Sequence, residues 1–168
     1  MINTILKFGL AFILLILIQV LVFNNIQFSG FVNPYVYVLF IMLLPLEIPA
    51  WLLLFLSFAT GMVMDFFSNS PGMHTSASVL AGFARPYVLR ILSPRDGYES
   101  GPNPSISAYG FRWFFIYTSV IVVIHHTALF YLEVFRFADF FRTLLRVILS
   151  SVFSVAFILL IEAYRKRR

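Results

Sequence analysis

The chain has 168 residues, of which 61% are hydrophobic and 11% charged, and it carries a net charge of +5. So little charge cannot clothe a water-exposed surface, and the apolar residues fall in long blocks, which excludes an ordinary soluble domain and points to membrane spans. The absence of cysteine excludes disulfides, thiolate nucleophiles and cysteine metal sites.

In chain order, the first apolar run follows Lys7 and has the look of a signal-peptide core. Phe23-Asn24-Asn25-Ile26 comes after it, with no small residues spaced for cleavage, so it reads as a retained helix from Ile5 to Phe23. The second run, Tyr35 to Leu46, lies between Pro34 and Pro45. A helix of that length reaches about 18 Å, short of a hydrocarbon core of about 30 Å, so this span must extend, insert partially or thin the bilayer. The third run is Trp51 to Phe67. The fourth, Ala77 to Leu92, is weaker and contains Arg85 and Pro86. The fifth, Phe111 to Leu132, and the sixth, Leu144 to Tyr164, are the clearest. The fold class is therefore an all-α membrane protein, one polytopic domain over residues 1–168 with about six transmembrane helices.

Six spans place both termini on one side. Lys7, Arg85, Arg90, Arg95, Arg112 and the tail Arg165-Lys166-Arg167-Arg168 then share that side, while Arg136, Arg142 and Arg146 fall opposite. The positive-inside rule makes the richer side cytoplasmic. This distribution is that of a membrane protein, and no nucleic-acid partner is expected. No GxxxxGK[ST] motif is present, so the chain is not an ATPase.

Two connections stand out. Residues 95–110, "RDGYESGPNPSISAYG", are rich in turn signals and read as a cytoplasmic loop, a linker or a docking point. On the outer side, within residues 133–146, Glu133, Arg136, Asp139 or Phe140, Thr143 and Arg146 recur every three to four residues, Phe135, Phe137, Phe141 and Leu145 take other faces, and Arg142 is a further candidate for a partner or lipid contact. That pattern predicts an amphipathic helix in the interface, an anchor or a partner surface. Arg85 and Arg90 are expected to snorkel to cytoplasmic headgroups, and Glu162 and Tyr164 to anchor the end of the last span.

The candidate chemistry centres on "GMVMDFFSNSPGMHT", Gly61 to Thr75. Asp65 sits near the end of the third span, and Thr75, Ser76 and Ser78 are N-cap candidates for the next helix. Asp65 is expected to accept hydrogen bonds across the turn from the His74–Ser76 backbone or from His74. One aspartate and one histidine make neither a catalytic triad nor a filled metal shell, so no enzyme, metal or cofactor is predicted. His125 and His126 stand mid-span in the fifth helix. Adjacent side chains point about 100° apart, so the two are not expected to face one site equally, and interhelical hydrogen bonding is the reading for them.

Gly61-Met-Val-Met-Asp65, followed by Ser70-Pro71-Gly72-Met73-His74 and a small-residue helix ending "FARPYVLR", resembles the MreD family of bacterial rod shape-determining membrane proteins. Length, basic tail and span count agree over nearly the whole chain, but only the Asp65–His74 stretch is specific. The resemblance implies a scaffold of the elongasome in the bacterial cytoplasmic (inner) membrane. It would work with MreC, with RodA and its partner transpeptidase, indirectly with MreB, and with membrane lipids. It implies no cofactor, and a fold similar to the substrate-binding S components of energy-coupling factor transporters. Those vitamin-transporter subunits are the rival reading. They dock through alanines four apart on the first helix, where this chain offers only Gly9 and Ala11, and the outer loops are short for a vitamin lid.

Overall fold

The computed structural model describes residues 2–26, 31–95, 97–98, 103–135 and 139–166. These described residues form seven α-helices in order: α1 Ile2–Leu21, α2 Val38–Leu43, α3 Ala50–Ser68, α4 Met73–Ile91, α5 Ile106–Tyr109, α6 Phe111–Val134 and α7 Phe140–Lys166. A short 3-10 turn, Phe23–Asn25, ends α1. Among the described residues no β-strand is present.

Among the described residues, four segments are long and apolar enough to cross a membrane: Leu6–Asn25, Ala50–Ser68, Phe111–Val134 and Phe140–Arg165. The other two expected spans differ. α4 has the length, 19 residues, but carries Arg85, Arg90 and a row of small and polar residues. It packs between α3 and α6, so much of its surface meets protein and need not be apolar. The second expected span is a helix of only 6 residues, Val38–Leu43, with every residue buried. At 1.5 Å per residue α2 rises about 9 Å. Non-helical chain runs on both sides of it.

Irregular backbone at membrane depth survives only where protein satisfies its polar groups. Side chains from three other helices do this around α2. Gln19 of α1 accepts from Val36 N at 2.7 Å and donates to Pro34 O at 3.1 Å. Ser150 and Ser154 of α7 accept from Asn33 N and Tyr35 N at 3.1 and 2.8 Å. Tyr117 of α6 donates to Met42 O at 3.1 Å.

Arg85 of α4 completes the set. Its Nη2 donates to Leu44 O and Pro45 O, and its Nε donates to Tyr117 Oη. The residue is 1% exposed, so it is not the lipid-interface anchor expected from the sequence. Its guanidinium instead provides the donors that the end of α2 lacks. Arg90, one turn and a little further on, is exposed and lies over the Tyr87 ring at 6.0 Å.

Glycines set the α3–α4 spacing. A Cβ on Gly61 would lie 2.6 Å from His74 O, and one on Gly82 would lie 2.9 Å from Ser57 Cβ. Helices can approach this closely only where side chains are absent or small. α1 joins the bundle by edge-to-face ring contacts, Phe12 on Phe40 at 5.1 Å and Phe23 on Phe157 at 4.8 Å.

The segment 133–146 is described except for residues 136–138, and its last part runs into the sixth span as expected. Glu133 belongs to α6, Phe135 turns the chain with φ 43°, and Phe140 to Arg146 are the first two turns of α7. At 27 residues α7 is about 40 Å long, so it outreaches the hydrocarbon core and carries its own polar turns. Arg136 lies outside the described residues. Glu162, expected at the interface, is 1% exposed and pairs with Arg165 at 2.7 Å. Tyr98 of the loop after α4 donates from Oη to Leu89 O at 2.6 Å, and Trp113 of α6 from Nε1 to Leu92 O at 2.8 Å, closing the α4 C-terminus. Burial pushes the Tyr98 pKa up to about 12, which keeps its hydroxyl a donor.

Candidate functional site

The motif that stood out in the sequence folds into a clasp. Asp65 is one helical turn from the end of α3, and Asn69 in the left-handed region (φ 49°) ends that helix. Ser70 and Pro71 follow, and Gly72 at φ 82° opens α4. This path turns the α4 N-terminus back toward the Asp65 side chain.

Both carboxylate oxygens are then filled by five hydrogen bonds. Oδ1 accepts from Ser70 Oγ at 3.0 Å and His74 N at 2.9 Å, while Oδ2 accepts from Gly72 N at 3.0 Å, Thr75 N at 3.0 Å and Thr75 Oγ1 at 2.6 Å. An N-cap normally comes from the residue preceding its own helix, and Gly72 has no side chain to give. Asp65 supplies that cap from the neighbouring helix, and its negative charge sits at the positive end of the α4 dipole. Ser76, one of the expected caps, instead donates from Oγ to Gly72 O at 2.7 Å.

His74 leads inward from the clasp. Its Nδ1 is 3.0 Å from Tyr37 Oη, which is 2.6 Å from His125 Nε2. His125 Nδ1 has no partner among the described residues. A bare acceptor without a partner costs less than a buried N–H without one, which assigns the protons. His125 Nε2–H donates to Tyr37, Tyr37 donates to His74 Nδ1, and His74 Nε2 carries its ring's proton.

His126 closes a second chain. Tyr35 N–H donates to Ser154 Oγ, Ser154 Oγ–H to His126 Nε2 at 2.9 Å, and His126 Nδ1–H to Val122 O at 2.9 Å. The two histidines thus bond to different partners, as the angle between adjacent side chains requires, yet both lie near one ring. That ring is Tyr35, with centroids 5.1 Å from His74, 6.3 Å from His125 and 5.6 Å from His126. A side chain this broad, on a segment threaded between α6 and α7, touches two adjacent helical positions at once.

Above the cluster lies a polar cavity of about 480 Å³. It sits where the end of α1, the segment before α2, the α3–α4 turn, the end of α6 and the start of α7 converge. Glu133 and Arg146 are its charged pair, Oε2 to Nη1 at 3.0 Å. Arg146 also lies 4.3 Å from the Phe130 ring centroid. Arg142 stands beside this site, 6.0 Å from the Phe31 ring. Among the described residues no group of three or more His, Cys, Asp or Glu could hold a metal.

The sequence singled out Gly61, Asp65, Pro71, Gly72 and His74, and these lie in one hairpin. It missed Gln19, Tyr35, Tyr37, Ser150 and Ser154. The only signal for these was their polarity inside apolar runs, which gives no partner. No family model matches the chain, and neither curated proteins nor solved structures yield a significant match.

Proposed function

We propose that this protein is a non-enzymatic membrane scaffold of the bacterial rod complex, an MreD-type partner of MreC. The observation that carries the reading is an apolar groove of about 760 Å³ between α4 and α6, lined by Leu80, Val123, Ile124, Ala128 and Leu132 among others. Association of helices in lipid depends on close packing, and a groove between two helices offers more of it than a convex face. The groove fits a membrane helix of the partner. α1 adds a second open face, with Leu6, Leu10, Ile13 and Leu17 exposed.

Much of the polar interior supports the same reading, because several of its groups are engaged in holding backbone. Asp65 is filled by the hairpin, and Gln19, Arg85, Ser150 and Ser154 hold the segment around α2. On this reading the chain crosses the inner membrane six times with both termini cytoplasmic. α4, with one face covered by α3 and α6, and the buried α2 segment are the two crossings beyond the four apolar ones. RodA and its partner transpeptidase would assemble beside MreC, with MreB joined indirectly.

Co-purification with MreC from gently solubilised membranes tests the proposal. Wild-type protein should recover MreC, and Thr127→Trp, which fills the groove, should not. Depletion should round the cells. Failure to recover MreC, together with a retained vitamin-like compound by mass spectrometry, would replace the scaffold with the transporter subunit.

A further inference from the structure

We propose that the polar cavity binds one small ligand through an anionic oxygen group, a carboxylate or phosphate, received by Arg146. The inference goes beyond the scaffold reading and does not depend on it.

The cavity volume, about 480 Å³, lies within the range of small-molecule sites. Its lining also has the composition of such a site. The Tyr35 ring gives a flat apolar surface, and Asn24, Asn33, Ser70 and His74 give hydrogen-bonding groups around it. His74 lines the cavity too, and in the proton assignment given above its Nε2 carries the ring's proton.

Arg146 is placed as a receptor. With its amide oriented to satisfy its neighbours, Asn33 accepts from Arg146 Nη2 at 2.8 Å. Phe130 lies at 4.3 Å and Glu133 holds Nη1. These contacts fix the guanidinium plane, yet Arg146 Nε is buried without an acceptor. A guanidinium presents paired donors to a carboxylate or phosphate, so this edge is left incomplete.

Glu133 explains how the site stays closed when empty. Its side chain is 39% exposed against 15% for Arg146. An exposed carboxylate on a fixed guanidinium is weakly held and exchanges with another. Glu133, on Nη1, thus neutralises the guanidinium of the empty site, competes with the ligand's oxygen group that takes the Nε edge, and swings outward when it arrives.

The anionic group can belong to a dissolved compound or to a lipid headgroup, and the experiment separates them. Full-length protein is placed in phosphatidylcholine nanodiscs, and its Tm is read with added benzoate or phenyl phosphate. A second set of nanodiscs contains phosphatidylglycerol and no added solute. At least one probe should raise the wild-type Tm and leave Arg146→Gln unchanged. The same probe should act on Glu133→Gln at about threefold lower concentration, the factor an exposed ion pair is worth. A response to the solutes assigns the site to a dissolved ligand, and a response to phosphatidylglycerol alone assigns it to a headgroup. No response in wild type and Glu133→Gln, or an equal response in Arg146→Gln, overturns the proposal. If Arg146→Gln does not fold, an unchanged Glu133→Gln midpoint overturns it. MreC is absent from this measurement, so its outcome leaves the scaffold reading separate.

Discussion

Arg85 donates its guanidinium to the main-chain carbonyl of Leu44, 41 residues away in the chain. This one contact ties α4 to the end of α2, where the chain leaves its helix inside the bundle. The arginine is there because a short buried helix exposes carbonyls that water cannot reach.

Replacing Arg85 by Leu should therefore strand the Leu44 and Pro45 carbonyls and the Tyr117 hydroxyl. Each unsatisfied buried group costs about 1–3 kcal/mol, so the loss should be several kcal/mol. Arg85→Lys keeps the charge but cannot fork to both partners, and should fall between. Thermal unfolding in detergent, followed by size-exclusion recovery, gives the order Arg85, Lys, Leu.

Asp65 supplies a sharper contrast. Asp65→Asn keeps the shape but turns one acceptor oxygen into an NH2 donor facing N–H groups. It should destabilise the hairpin nearly as much as Asp65→Ala, by about 2–4 kcal/mol from loss of charge-assisted bonds. Protein abundance in membranes and the detergent Tm read the effect. An Asn variant with wild-type abundance would show that the charge is not what holds the clasp.

The two close-approach glycines should respond to a single methyl group. Gly61→Ala and Gly82→Ala place a Cβ against neighbouring chain that must shift, costing about 1–3 kcal/mol each by overpacking. Gly9→Ala, with nothing within 4 Å, should be neutral or slightly stabilising in α1. Equal melting temperatures for all three variants would remove the claim that α3 and α4 touch through glycine.

Tyr37→Phe deletes the hydroxyl shared by His74 and His125. It leaves two buried ring nitrogens unpaired and should cost about 1–3 kcal/mol. Tyr35→Phe should cost less, because no hydrogen bond to the Tyr35 hydroxyl enters the cluster. Comparing the two by thermal unfolding separates the shared hydroxyl contacts from the packing of the rings.

The Asp65 hairpin could be read in advance because every part of it is local. Asp65, Asn69, Gly72 and Thr75 lie within one turn and two helix ends, where spacing along the chain nearly determines spacing in space. Arg85 could not be read the same way. Near the end of an apolar run, an arginine that snorkels and an arginine buried on carbonyls have the same sequence. Only the position of α2 distinguishes them.

By itself the sequence determined that this chain belongs in a membrane, that it is helical, and where α1, α3, α6 and α7 run. Hydrophobic length and composition set those features, and both are properties of single segments. The tertiary structure decided that the Tyr35–Leu46 stretch holds only a short buried helix. It also decided that the small and polar face of α4 packs between α3 and α6, and that His74, His125 and His126 meet around Tyr35 and Tyr37. The reason is that a buried polar group takes its meaning from its partner, and these partners come from distant helices. Gln19 is an isolated polar residue in an apolar run until Pro34 and Val36 are folded against it.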